Sequence, residues 1–244
     1  MTTAHNSRKR NERRILSTVV IKAIIFDLDN TLIDFMTMKK AASTAAASAM
    51  IEAGLKEYPE DLAERLFSFY LDHGIESDDA FEEYLLQQYK AVDYRILAAA
   101  VNAYLKEKYL HLKPYPGVAE TLHELKQRGF KLGVVSDGFR LKAWMRLNEA
   151  GLDGYFDTVV TYDDTGKQKP AREPFLRVCD ELNVEPEECL MVGDWPERDI
   201  QGGKLAGMKT CLAKYGQKRH ATADYKIEDF ADLLDIVADQ RTSS

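Results

Sequence analysis

Two aspartates one residue apart close a short apolar run, Ile24-Ile25-Phe26-Asp27-Leu28-Asp29, and Asn30-Thr31-Leu32 follows. A short apolar run with adjacent isoleucines is the pattern of a buried strand. Carboxylates at the end of such a strand are costly unless they are paired or hold a metal. In open α/β sheets, ligands bind outside the C-terminal ends of the strands. Asp27 and Asp29 are therefore candidate catalytic groups. An extended backbone would aim both carboxylates one way. A turn beginning at Asp29 would let one face a ligand while the other stands beside it. The competing reading is an acidic strand-to-turn junction, since Asp and Asn are common turn formers.

Three later segments add chemistry of a related kind. The run 131–135 ends in Ser136-Asp137-Gly138, which offers a hydroxyl, an acid and a glycine beside which backbone N–H groups can approach an anion. Alone, it is equally an ordinary strand followed by a turn. Lys169 stands just ahead of Pro170, before a helix expected from about Glu173. A lysine fixed there would neutralise charge at a phosphate, although most lysines are simply solvated. The run 189–193 ends in Asp194, and Asp199 follows five positions later. Asp199 also fits an ordinary first-turn acid. Asp194 is harder to dismiss, because its strand must be central and its side chain then sits at the ligand edge.

The elements that must position these residues alternate. From Gly117 onward the pattern predicts helices over 118–128, 140–150, 173–182, 197–205 and 229–238. It predicts strands ending at Ser136 and Asp194, and others over 158–161, 208–213 and 225–227. Such alternation means a parallel sheet with helices on both faces. Between the first and second segments the character changes. Residues 36–53 are rich in Ala, Met and Lys without Gly or Pro, and helical spacing continues over 59–71, 78–90 and 93–109. Pro114-Tyr115-Pro116-Gly117 closes this insert. Its aromatic residues, Tyr70, Phe81, Tyr84, Tyr89, Tyr94 and Tyr104, are expected to be core by their periodicity. The His73-Gly74 pair lies between two of its helices and has the option of facing the site.

Taken in order, the four segments resemble the signature of the haloacid dehalogenase superfamily, in its large phosphatase branch. That signature is Asp-x-Asp-x-Thr, a strand ending in Ser or Thr, a Lys-Pro segment and Gly-Asp-x-x-x-x-Asp. The resemblance runs from about Ile21 to about Asp235. It implies a Rossmann-like α/β core over 20–34 and 113–244, with an all-helical cap of the C1 type over 35–112. A narrower likeness is to archaeal-type glyceraldehyde-3-phosphate and phosphoglycolate phosphatases. The implied activity is a magnesium-dependent phosphatase acting on a small phosphorylated metabolite through an aspartyl-phosphate. In that scheme Asp27 is the nucleophile. Asp29 is the general acid and then the base, with its proton supplied by a raised pKa or shared with the substrate. Ser136, Asp137, Gly138 and Lys169 hold the phosphate. Asp27, Asp194 and the Asp29 carbonyl hold Mg²⁺, with Asp199 a further candidate ligand. Thr31 is expected to order the loop. Two departures from the family pattern stand out, Trp195 after Asp194 and Arg172 after Lys-Pro. The rival readings are a 2-haloacid dehalogenase, which needs neither Asp29 nor the metal, and a phosphomutase on the same scaffold.

Composition narrows the partners. A net charge of −7 over 244 residues argues against generic nucleic-acid binding. No segment is long enough to span a bilayer. Cys179, Cys189 and Cys211 are odd in number and lack metal spacing, so buried free thiols in a reducing cytosol are expected. Residues 1–19 are polar and basic and read as a disordered, dispensable tail. A weak signal peptide there is rejected, because its apolar run flows straight into the Asp27 strand. Monomer and homodimer both remain open.

Overall fold

The computed structural model describes residues 20–75, 77–216 and 220–238. The tail expected over 1–19 lies outside the described residues. Six parallel strands form one sheet in the order β3-β2-β1-β4-β5-β6. They are β1 (Ala23–Phe26), β2 (Lys131–Val135), β3 (Thr158–Val160), β4 (Cys189–Gly193), β5 (Lys209–Ala213) and β6 (Tyr225–Ile227). The chain runs outward from β1 through β2 and β3, then returns to the other side of β1 for β4, β5 and β6. That reversal places a topological switch point between β1 and β4, where an open α/β sheet forms its ligand crevice.

The side-chain period of two builds both faces of the sheet. Ile24, Phe26, Val134 and Val192 enter one core with Leu122, Leu125 and Phe230. Ala23, Ile25 and Met191 enter the other with Phe175, Val178 and Leu182. Residues 23–26 are all buried, as a strand covered on both faces requires. The covering helices are α5 (Val118–Gln127), α6 (Arg140–Glu149), α8 (Arg172–Leu182), α9 (Gln201–Ala206) and α10 (Leu233–Ile236), with α7 (Tyr162–Thr165) a single turn.

Between β1 and β2 lie α1 (Phe35–Glu52), α2 (Pro59–His73), α3 (Ala80–Tyr89) and α4 (Tyr94–His111). They form a core of their own around Met50, Leu62, Leu66, Tyr70, Phe81 and Leu85. Small residues on α1, Ala42, Ala46 and Ala47, are fully buried. Within this layer Lys39 is buried too, its Nζ donating to the Tyr104 hydroxyl at 2.8 Å and lying 3.4 Å from the Tyr70 ring centre.

Several expectations need adjustment. Tyr94 and Tyr89 are exposed rather than core, and their hydroxyls instead donate to Glu82 and Glu57 at the surface. The helix expected over 197–205 begins as a π-helical turn, Pro196–Ile200, before α9. The closing helix is a 3₁₀ turn, Phe230–Asp232, followed by α10. The short α7 was not foreseen, because one capped turn carries no periodicity to read. All three cysteines are buried and free.

Candidate active site

Register decides which side chains meet. Phe26 pairs with Val134 on one side and Val192 on the other, so β1, β2 and β4 end nearly level. The next residues, Asp27, Ser136 and Asp194, emerge on one edge and line a cavity of about 530 Å³. Asp29, Asp137, Gly138, Lys169 and Asp199 line the same cavity, so all eight candidate site residues come together. Asp27 is fixed by its own N–H, which donates to the Val192 carbonyl at 2.9 Å.

The loop after Asp27 turns sharply. Asn30 adopts a left-handed backbone, which asparagine tolerates better than most residues. Its Oδ1 accepts the Met36 N–H, joining the loop to α1. Thr31 does more than order this loop: its hydroxyl donates to Asp27 Oδ2 at 3.1 Å. The tight turn brings i+4 back onto the strand end.

Lys169 is buried, and its Nζ lies 2.5 Å from Asp27 Oδ1, 2.7 Å from Asp199 Oδ1 and 3.1 Å from the Val135 carbonyl. Those three partners match the three donors of an ammonium. The Lys169 backbone N–H donates to Asp137 Oδ1 at 2.8 Å, which fixes the segment that carries it. Burial works against the Lys169 charge, but Asp199, Asp27 and Asp137 more than offset it, so the ammonium holds its proton well above the usual lysine range.

Asp199 is buried by the π-helical turn, not displayed at a helix start. Burial pushes its carboxyl up to about 6, against the pull of Lys169 and of the Trp195 N–H. That N–H donates to Asp199 Oδ2 at 2.9 Å. Gly193 makes the approach possible, because a Cβ there would collide with the Asp199 carboxylate. One oxygen each from Asp27, Asp194 and Asp199 lies within 4.8 Å of the others. A buried set of carboxylate oxygens is the donor chemistry of a hard divalent cation.

Two arginines escaped the sequence reading. Arg146 of α6 is buried and its Nη1 sits 2.5 Å from Asp29 Oδ2. Asp29 was expected beside other carboxylates, and the structure gives it a guanidinium neighbour. Arg198 lines the cavity, pairs with Asp137 at 3.1 Å and stacks 4.1 Å from the Trp195 ring. Trp195 also lines the cavity, whereas Arg172 is exposed on α8 and takes no part in it. From the helical layer come Phe35, Met36, Leu71, Gly74 and Ile75, so the loop after His73 does face the site.

A doubly wound parallel sheet with carboxylates gathered at its switch point, beneath an inserted helical layer, places the chain among α/β proteins that bind their ligand at the strand ends. The chain belongs to the haloacid dehalogenase-like hydrolases, whose family model matches residues 21–207. It is 35% identical over 227 residues to a glyceraldehyde 3-phosphate phosphatase of Methanopyrus kandleri, covering 89% of this chain and 97% of the relative. It is 35% identical to a phosphoglycolate phosphatase of Aquifex aeolicus, with 86% and 91% covered. A solved HAD phosphatase from Thermococcus onnurineus superposes with a TM-score of 0.65 at 27% identity, covering 91% of this chain and all of that one. No helix among the described residues is long and apolar enough to cross a membrane.

Proposed function

We propose that this enzyme is a magnesium-dependent phosphatase that cleaves a small phosphomonoester through an aspartyl-phosphate. The observation that carries the reading is the buried meeting of Asp27, Lys169, Asp194 and Asp199 at the strand ends, on a chain related to phosphatases. The names of those relatives favour two- and three-carbon phosphate esters as first substrates to test.

Asp27 attacks phosphorus, and the bond from phosphorus to the ester oxygen breaks. Asp29 gives a proton to the departing alcohol, then takes one from the water that opens the acyl phosphate. With Arg146 beside Asp29, that first proton is the one shared with the incoming phosphate group. Thr31 and Lys169 each hold one oxygen of Asp27, which fixes the nucleophile's orientation. Ser136 and the backbone at Asp137 and Gly138 receive the phosphoryl oxygens as their charge rearranges. Asp27, Asp194 and Asp199, with the Asp29 carbonyl, would hold Mg²⁺. When bound, the ion supplies charge neutralisation between the phosphate and its attacker.

Residues 35–112 act as the cap, and 20–34 with 113–244 as the catalytic core. The cap meets the alcohol and keeps water out during phosphoryl transfer. The dehalogenase alternative leaves Asp29, Asp194 and Asp199 without a task. The test is a panel of phosphorylated metabolites, scored by release of inorganic phosphate with and without Mg²⁺. Turnover of a short phosphomonoester only when the ion is present is the expected result. Absence of phosphate release from every ester, or halide release from 2-haloacids, would overturn it.

A further inference from the structure

A buried arginine is costly to keep and rarely idle. Arg146 sits on α6 with its side chain 6% exposed, and its Nη1 lies 2.5 Å from Asp29 Oδ2. The helix is turned in a way its own composition does not call for. Leu141, Trp144 and Met145 face solvent, while Ala143, Arg146 and Leu147 are buried. Three apolar side chains are thus left outside while a cation goes in. The guanidinium carbon also lies 4.6 Å from the centre of the Phe35 ring, and Phe35 is the first residue of the cap. Arg146 therefore touches both the candidate acid of the core and the first residue of the inserted helical layer. It does not line the cavity that would receive the phosphate.

We infer that Arg146 is a positioning residue that holds Asp29 on the path of the leaving alcohol by taking its Oδ2 oxygen, and that Phe35 ties this hold to the seat of the cap. The inference rests on the reading of Asp29 as the group that serves the ester oxygen. A planar fork beneath an aromatic ring has one favourable orientation, which a flexible lysine ammonium does not share. With Oδ2 held by Arg146, the orientation of the whole Asp29 carboxylate toward the ester oxygen is set. Unpinned, it is free to rotate about Cβ, and the proton arrives at the ester oxygen less often. The chemistry is unchanged: the ester P–O bond breaks, Asp27 gains the phosphoryl group, and the proton goes from Asp29 to the alkoxide. Water then releases inorganic phosphate and returns a proton to Asp29.

Leaving-group dependence separates this role from a structural one. An alkyl alcohol needs the proton to depart, whereas p-nitrophenolate does not. kcat/KM reports formation of the acyl phosphate, the first irreversible step. Arg146→Gln is expected to lose about 10-fold or more in kcat/KM on an alkyl phosphate and under about 3-fold on p-nitrophenyl phosphate, a fraction of what a whole general acid provides. Arg146→Lys should lose less on the alkyl ester than Arg146→Gln. Orthovanadate, a mimic of the transferring group, should inhibit both variants as it does the wild type, which shows the phosphate pocket intact. Asp29→Asn is the reference and should show the same selective loss, larger in size.

Equal losses on the two esters in both Arg146 variants, with selective loss in Asp29→Asn, would overturn the inference and leave the proposed mechanism standing. An unselective loss in Asp29→Asn would overturn the acid assignment and the inference together. Loss of vanadate inhibition in both Arg146 variants would assign Arg146 to folding and would equally overturn it.

Discussion

The floor and the roof of the cavity are built on opposite principles. The floor is charged and rigid: Asp27, Asp194, Asp199 and Lys169 are buried, joined by short ion pairs and set at the ends of fully buried strands. The roof is apolar and assembled from helix ends, with Phe35, Met36, Leu71 and Ile75 presenting carbon to the same space. A phosphoryl group is identical in every ester, so the part that binds it can be fixed once. On the proposed function, discrimination comes from contacts with the alcohol, which the roof would supply. Phe35 is a member of the same core as Ile24, Phe26 and Val192 beneath the floor, and Met36 and Ile75 pack against it, so the roof is seated on the sheet's own packing while the rest of the helical layer keeps a separate core.

The most severe break falls on the floor. Asp27→Asn keeps the shape of the side chain but removes the proposed nucleophile, so turnover should fall about a thousandfold or more, as loss of a nucleophile does elsewhere. Unchanged far-ultraviolet circular dichroism would show the fold kept. Near wild-type phosphate release, without deamidation back to Asp, would contradict the assignment. Removal of the metal should be almost as damaging. Dialysis against a chelator is expected to silence the enzyme, Mg²⁺ to restore it, and Ca²⁺ to restore less, because its shell is larger and looser. Full activity in the metal-free protein would refute the carboxylate site.

Changes in the roof should move preference rather than chemistry. Ile75→Gln places an amide where the cavity wall is carbon. It is expected to shift the ratio of kcat/KM between a polyhydroxylated and a short phosphate ester by about tenfold toward the former. Mg²⁺ dependence should stay as in the wild type. An unaltered ranking would move selectivity to the core loops, with Trp195 and Arg198 first in line. The mildest prediction touches neither surface. Asp224 accepts the Thr210 backbone N–H at 3.0 Å and its hydroxyl at 2.9 Å, and so ties the loop before β6 onto β5. Asp224→Ala should cost about 1 kcal/mol in urea unfolding, the usual worth of such bonds, and leave kcat alone. Burial acts to raise the Asp224 pKa, but the Thr210 and Lys209 contacts outweigh it and hold it below the usual aspartate range. Its stabilisation is thus fully present above the unfolded-state pKa and lost as pH falls through the folded-state pKa. The gap between variant and wild type should therefore close in acid.

The parallel sheet and the order of its helices were legible because each strand is a short apolar run and each helix a longer periodic one. Asp27, Asp29, Ser136, Asp137, Gly138 and Asp194 were legible because they stand just past such runs, where a buried strand must release its chain to the ligand edge; Lys169 and Asp199 were legible only through their place in the family signature. Tyr89 and Tyr94 were misread because periodicity gives a face to a residue but not the neighbour that covers it. Arg146 was invisible for the converse reason: α6 carries more apolar residues on its exposed side than its buried one, so its pattern points the wrong way.

The sequence by itself determined the alternation of elements, the insertion of a helical layer after β1, and the types and order of the groups at the strand ends. These follow from local rules, the periods of two and of 3.6 and the cost of burying a charge. Only the tertiary structure decided that Lys169 closes on Asp27 and Asp199, that Thr31 reaches back to Asp27, and that Arg146 crosses from α6 to Asp29. It alone put the loop after His73 over the same cavity. Those pairings span up to 142 residues of chain. They depend on strand register and helix rotation, which are fixed by the packing of two cores at once and leave no trace in any one segment.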